Sequence, residues 1–269
     1  MLSINKIHEK IGKVFPLRKY IRCSCSCIFL IIGGFFLKKN KFIFNCIDIH
    51  FFSNKKLSIP VVTVDEILGG DVDITLSELH GRDGNVTLLE LVVIVGLVKK
   101  NKPKLTFEIG TFDGRTTLNV AMNQDQGTKV FTIDIKQSDM NNVSKVLAEG
   151  DREYIIKEES GVRFKKRSAI AEIIQLYGDS ARYDFSEYMN KIDFMFIDGS
   201  HSYDYVLNDS HVAFSVVKNG GIILWHDYGS WEGVTKALEQ LHAQDPKFYE
   251  IKHIEGTSIC ILQKNTAIP

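Results

Sequence analysis

The chain lacks the marks of several protein classes. Its 269 residues include five cysteines, Cys23, Cys25, Cys27, Cys46 and Cys260, and no two stand as Cys-x-x-Cys. Four of them crowd into the first 46 residues, which argues against a disulfide framework or a zinc site. There is no Gly-x-Gly-x-x-Gly, the loop expected of a nicotinamide-dinucleotide site. Nor is there a Tyr-x-x-x-Lys, the catalytic pair of short-chain dehydrogenases. Net charge is absent overall but unevenly spread. Residues 1–60 hold 11 Lys/Arg against 2 Asp/Glu, or +9, and the remainder holds 22 against 31, or −9. An acidic body is a poor nucleic-acid binder, so any anionic surface would be met by the N-terminal segment.

Long apolar runs are also scarce. Ile28–Leu37 is an uninterrupted stretch, flanked by Arg18, Lys19, Arg22, Lys38, Lys39 and Lys41. It is shorter than the roughly 20 residues that a spanning helix needs. Lysines, not small residues, follow it, which is unlike a cleaved signal peptide. Three readings stay open: a membrane-surface anchor through residues 20–37, a marginal span, or an extra packing element. Cys23, Cys25 and Cys27 could accept acyl chains there. Composition divides the chain into this basic and apolar extension, residues 1–58, and a domain of residues 59–269.

Within the domain, hydrophobic patterning alternates between strand and helix. Pro60 to Leu68 is a lead-in with a short helix or strand. Thr87 and Glu90 have the spacing of a capping box and open an apolar helix to about Lys99. The strand Leu105–Ile109 runs into a turn carrying Gly110 and Gly114, then a helix from about Thr116 to Asn123. The strand Lys129–Asp134 precedes a helix read over 138–149 and a charged insertion over 150–167. Ala171–Tyr177 and Ile192–Ile197 are further strands. A helix through Tyr205–Val217, a turn at Asn219–Gly221, the strand Ile222–Trp225 and a helix Val234–Ala243 follow. Phe248–Ile254 and Ser258–Leu262 read as a closing hairpin. This order predicts an α/β fold: a Rossmann-like, doubly wound, mostly parallel sheet with a C-terminal antiparallel hairpin.

In such sheets, ligands bind beyond the carboxyl ends of the strands. Here every such end carries a polar cluster: Gly110–Gly114, Asp134, Asp179, Asp198 with His201, and His226 with Asp227. One aspartate after a strand is most often a cap or turn residue; five clusters at one end point to a site. Glycines let a ligand approach the backbone, and the following helix offers free N–H groups to an anionic ligand group. Asp134 stands 24 residues after Gly110, about where a carboxylate meets the ribose hydroxyls of a nucleotide-type ligand. Asp198, His226 and Asp227 suit a hard divalent cation in an open site. His201 can ligate or act as general base.

Glu108–Thr117, Thr132-Ile-Asp134, Gly178-Asp-Ser180, Ile197–Tyr203 and Gly220–Tyr228, taken in this order, resemble the class I S-adenosylmethionine-dependent methyltransferases. The nearest likeness is to the cation-dependent small-molecule O-methyltransferases, with macrolide-sugar enzymes and cephalosporin-hydroxylase-like relatives. The resemblance implies that Glu108, Gly110, Thr111, Phe112 and Gly114 hold the methionine part of S-adenosyl-L-methionine. It places Asp134 on the ribose and Asp179 with Ser180 against the adenine. Asp198, His226 and Asp227 would hold a divalent cation, Mg²⁺ first, and His201 would be the catalytic base beside Asp198. Phe112 stands where the family commonly has a glycine, and His226 where a carboxylate or amide is usual. The expected acceptor is a small hydroxylated metabolite or sugar, in the cytoplasm where the methyl donor is found. Homo-oligomerisation stays open. The rival readings are a metal-dependent hydroxylase-like enzyme, an NAD-dependent oxidoreductase and a membrane-tethered binding module without activity.

Overall fold

A computed structural model describes residues 57–265 apart from Glu158 and Ser168. The apolar run and residues 20–37 lie outside the described residues. Eight strands form one sheet: β1 (Val61–Val62), β2 (Leu105–Ile109), β3 (Lys129–Asp134), β4 (Glu172–Tyr177), β5 (Ile192–Ile197), β6 (Val217–Trp225), β7 (Lys252–Ile254) and β8 (Cys260–Gln263). Their spatial order is β1-β7-β8-β6-β5-β2-β3-β4. All neighbours are parallel except β8, which runs antiparallel to β6 and to β7. The doubly wound, mostly parallel sheet with a closing hairpin is therefore present.

The helices are α1 (Val64–Leu68), α2 (Leu88–Asn101), α3 (Arg115–Asn123), α4 (Asp151–Ile155), α5 (Val162–Lys165), α6 (Tyr203–Val216) and α7 (Glu232–Gln244). Strand alternation sorts the core onto two faces. Met195 and Ile197 of β5 join Ile223 and Trp225 of β6 against α6 and α7. Phe194 and Phe196 join Ile222 and Leu224 against α2 and Val120 of α3. Thr87 opens α2 with both halves of the capping box, as its spacing predicts.

Two expectations fail. Residues 138–149 form only a 3-10 turn, Gln137–Asp139, followed by loop. Asp139, Asn141, Asn142 and Ser144 are residues whose side chains compete for backbone groups, and the loop is fastened from outside when Ser144 N donates to Asp179. The turn at Asn219–Gly221 is instead the irregular start of β6, with Val217 paired to Ile192 across a register shift. The stretch 150–167 is two short helices joined by a bend, α4 and α5.

Upstream of α2, residues 71–82 have no regular structure but are tied to α3 by its side chains. Asn123 accepts from Thr75 N (2.8 Å) and donates to Thr75 O (2.7 Å). One turn earlier, Asn119 does the same with Ser77, at 2.8 and 3.0 Å. Arg115, 1% exposed, donates to the carbonyls of Glu78, Leu79 and Val86.

Candidate active site

The strand order reverses between β2 and β5, and this switch point is where open α/β sheets bind ligands. Gly110 ends β2 with φ +99°, and a Cβ there would lie 1.9 Å from the Asp198 carbonyl oxygen at the end of β5. The glycine is required because the two loops touch. Phe112 follows with φ +48°, the left-handed conformation that glycine adopts freely. The phenylalanine thus holds a turn that a glycine would adopt without strain. Its ring lies under Arg82 (4.4 Å) and edge-on to Tyr154 (5.8 Å). Gly114 turns the chain into α3.

Beyond β5 and β6, four of the expected residues meet. His226 Nδ1 is 3.0 Å from Asp198 Oδ1 and 3.1 Å from Asp227 Oδ2. Asp227 Oδ2 also lies 2.9 Å from His201 Nε2. Asp227 itself has φ +67°, so the backbone bends sharply to present its carboxylate. Three residues that the sequence did not assign to the site complete the cluster. Glu90 Oε2 reaches His226 Nε2 at 3.3 Å while keeping its capping bond from Thr87 N. Asp151 Oδ1 meets His201 Nδ1 at 2.6 Å. The Trp231 ring stacks on His201 at 4.0 Å and 12°.

Burial opposes charge on both imidazoles, but the carboxylates around them outweigh it. His201 is raised to about 10, and His226 lies well above the ordinary imidazole range. His201 is therefore an imidazolium at neutral pH in this arrangement, where the sequence suggested an ordinary imidazole. Burial works against the Asp227, Glu90 and Asp151 carboxylates too, yet the imidazoles hold all three below the usual range. An imidazolium cannot ligate, so His226 would have to give up its proton for a divalent cation to be held here. One ligand atom each from Asp198, His226 and Asp227 lies within 4.8 Å of the others, so the donor set fits such an ion.

The other expected residues are distributed differently. Asp134 lies beside the glycine loop, and its Oδ2 accepts from Phe112 N (3.0 Å), Ser160 Oγ (2.7 Å) and Lys157 Nζ (3.0 Å). These are hydrogen-bond donors, as ribose hydroxyls would be, so the carboxylate suits a nucleoside while Lys157 and Ser160 hold its place. Glu108 points inward: Thr132 Oγ1 donates to it at 2.6 Å, as does Thr117 Oγ1. Burial pushes Glu108 up to about 8 despite those bonds. Thr111 is buried against Thr132 (2.7 Å). Asp179 accepts from Tyr205 Oη (2.9 Å) and Ser144 N (2.7 Å), and Ser180 hydrogen-bonds Asp209. The free space between Asp198, His201 and Asp227 amounts to about 10 Å³, against roughly 300–1,000 Å³ for small-molecule sites. The segment from α4 to α5 covers the glycine loop, with Gly161 N bonded to Phe112 O and Arg163 N to Asp113 O.

The strand order, the glycine turn at the switch point and the acidic residue ending the next strand define a class I methyltransferase fold. Residues 107–228 match the family model of a methyltransferase domain. A protein of Acanthamoeba polyphaga mimivirus, named as uncharacterized, is 29% identical over 130 residues, covering 47% of this chain and 53% of that one. The chain thus spans about half the length of the curated relative it matches. Among solved structures, it is similar to the O-methyltransferase TomG from Streptomyces achromogenes in complex with S-adenosylmethionine. That match has 13% identity and TM-score 0.48, over 68% of this chain and 82% of that one. The S-adenosylhomocysteine-bound methyltransferase PaMTH1 of Podospora anserina matches at 15% and 0.49, over 68% and 81%. The O-methyltransferase NovP matches at 16% and 0.49, over 66% and 81%. Among the described residues, no helix is long and apolar enough to cross a membrane.

Proposed function

We propose that the protein transfers the methyl group of S-adenosylmethionine to a hydroxyl of a small metabolite or sugar, with a divalent cation at Asp198, His226 and Asp227. The observation that carries this reading is the convergence of those three side chains with His201 at the switch point, against Gly110. When bound, S-adenosylmethionine supplies an electrophilic methyl on sulfur, and the cation supplies a Lewis acid for the acceptor oxygen. Asp134 and the turn Gly110–Gly114 would hold the donor. His201 would take the hydroxyl proton on Nε2, which requires that Asp227 give up that nitrogen and that the ring first lose its own proton. The acceptor oxygen then forms its bond to the methyl carbon as the carbon–sulfur bond breaks. The remaining work is positioning and electrostatics.

Titration calorimetry with S-adenosylmethionine and NAD in parallel tests the donor; heat with NAD alone would overturn the assignment. Transfer of radiolabelled methyl is then followed over a panel of hydroxylated sugars and catechol. His201→Ala should abolish transfer while leaving donor affinity nearly intact, and unchanged turnover would remove His201 from the mechanism. EDTA should inactivate, with Mg²⁺ or Mn²⁺ restoring activity; full activity in chelator would remove the cation.

A further inference from the structure

His201 is held from three sides. Asp151 Oδ1 lies 2.6 Å from Nδ1, Asp227 Oδ2 2.9 Å from Nε2, and Trp231 covers one face. Asp151 comes from α4, 50 residues earlier in the chain, and its two oxygens divide their partners. Oδ2 accepts from Ser200 Oγ (2.6 Å) and Ala148 N (2.9 Å), which fastens α4 to the loop after β5. Oδ1 is turned to His201, meeting its ring nitrogen and, at 3.3 Å, its backbone N–H. A carboxylate on Nδ1 selects the proton position and ring orientation that leave Nε2 to exchange protons.

We propose that Asp151 is the positioning residue of the active site, locking the His201 ring so that Nε2 faces Asp227 and the incoming hydroxyl. This role rests on the methyl-transfer reading, in which His201 is the base. Fastening the loop alone would need only Oδ2; the approach of Oδ1 to the ring is the additional feature. The same short helix thus contributes to both halves of the site, because Lys157 just beyond it pairs with Asp134.

The test uses the full chain labelled with ¹⁵N-histidine, without donor or acceptor, and His201→Gln to identify the His201 signals. A strongly downfield Nδ1–H proton is expected in the wild type. It should vanish in Asp151→Asn and survive in Ser200→Ala, which removes only a partner of the fastening oxygen. On any acceptor turned over by the wild type, Asp151→Asn should lower kcat by about 10²–10⁴-fold. Its dissociation constant for S-adenosylmethionine should stay within about twofold, and Asp151→Glu should recover part of the rate. Persistence of the downfield signal in Asp151→Asn, an undiminished kcat, or equal loss of donor binding and rate would overturn the proposal. A wild type that binds no S-adenosylmethionine defeats the methyl-transfer reading instead, and the nuclear resonance result still decides whether Asp151 orients the ring.

Discussion

At Gly110 there is room for a hydrogen and nothing larger. Gly110→Ala would drive a methyl into the Asp198 backbone carbonyl at a positive φ. Overpacking typically costs about 1–3 kcal/mol and the strained φ a similar amount, so the urea midpoint should fall clearly. An unchanged midpoint would mean that the two loops do not touch. Asp209 offers a second test. Burial pushes its carboxyl up to about 7 from 3.8, against the hydrogen bonds from Asn208 and Ser180 that favour the carboxylate. A raised acid favours the protonated folded state: its contribution is fully present below about pH 3.8 and is lost as pH rises through about 7. Three units would correspond to about 4 kcal/mol at most. Wild-type stability should therefore drop between pH 5 and pH 8.5 by more than that of Asp209→Asn. Parallel pH dependences of the two denaturation midpoints would refute it.

Among elements, the segment from α4 to α5 stands between the cofactor reading and the space available. Lys157 neutralises Asp134, and both side chains are only 10% exposed. If ribose hydroxyls must replace that ammonium, then Lys157→Met should bind S-adenosylmethionine about tenfold more tightly, a gain of about 1.4 kcal/mol. Weaker binding in calorimetry would show instead that Lys157 is itself a donor contact. This segment was also the least legible part of the sequence. The strands could be read because β2, β3 and β5 are short segments rich in apolar and β-branched residues, with polar strand ends or turns after them. Their ends could be read for the same reason, which is how Asp198, His201, His226 and Asp227 were found together. Asp151 could not, since it lies in a charged stretch without periodicity and meets His201 only through the fold. Glu90 was hidden differently: its spacing to Thr87 already had a sufficient explanation as a cap, and one carboxylate performs both tasks. The helix expected over 138–149 failed because Asp, Asn and Ser favour local side-chain bonds over helical ones.

On the scale of the whole molecule, the sheet places the expected donor and acceptor groups on opposite sides of one reversal in strand order. Asp134 follows β3 on one side; His226 and Asp227 follow β6 on the other, with Gly110 and Asp198 meeting at the seam. Losing the acceptor side need not therefore lose the donor side. Asp227→Asn should reduce transfer strongly and keep most of the affinity for S-adenosylmethionine. Calorimetry beside the transfer assay checks this, and a joint collapse of both would show that the halves are not separable.

The paired asparagines of α3 carry a different consequence. Asn119 and Asn123 act on residues 75 and 77 much as a neighbouring strand would, although that stretch belongs to no sheet. Deuterium uptake followed amide by amide should find two slow sites, Thr75 and Ser77, inside an otherwise irregular segment. Asn119→Ala should release Ser77 to solvent while Thr75 keeps its protection, so that a loop would record the integrity of a helix face it only borders.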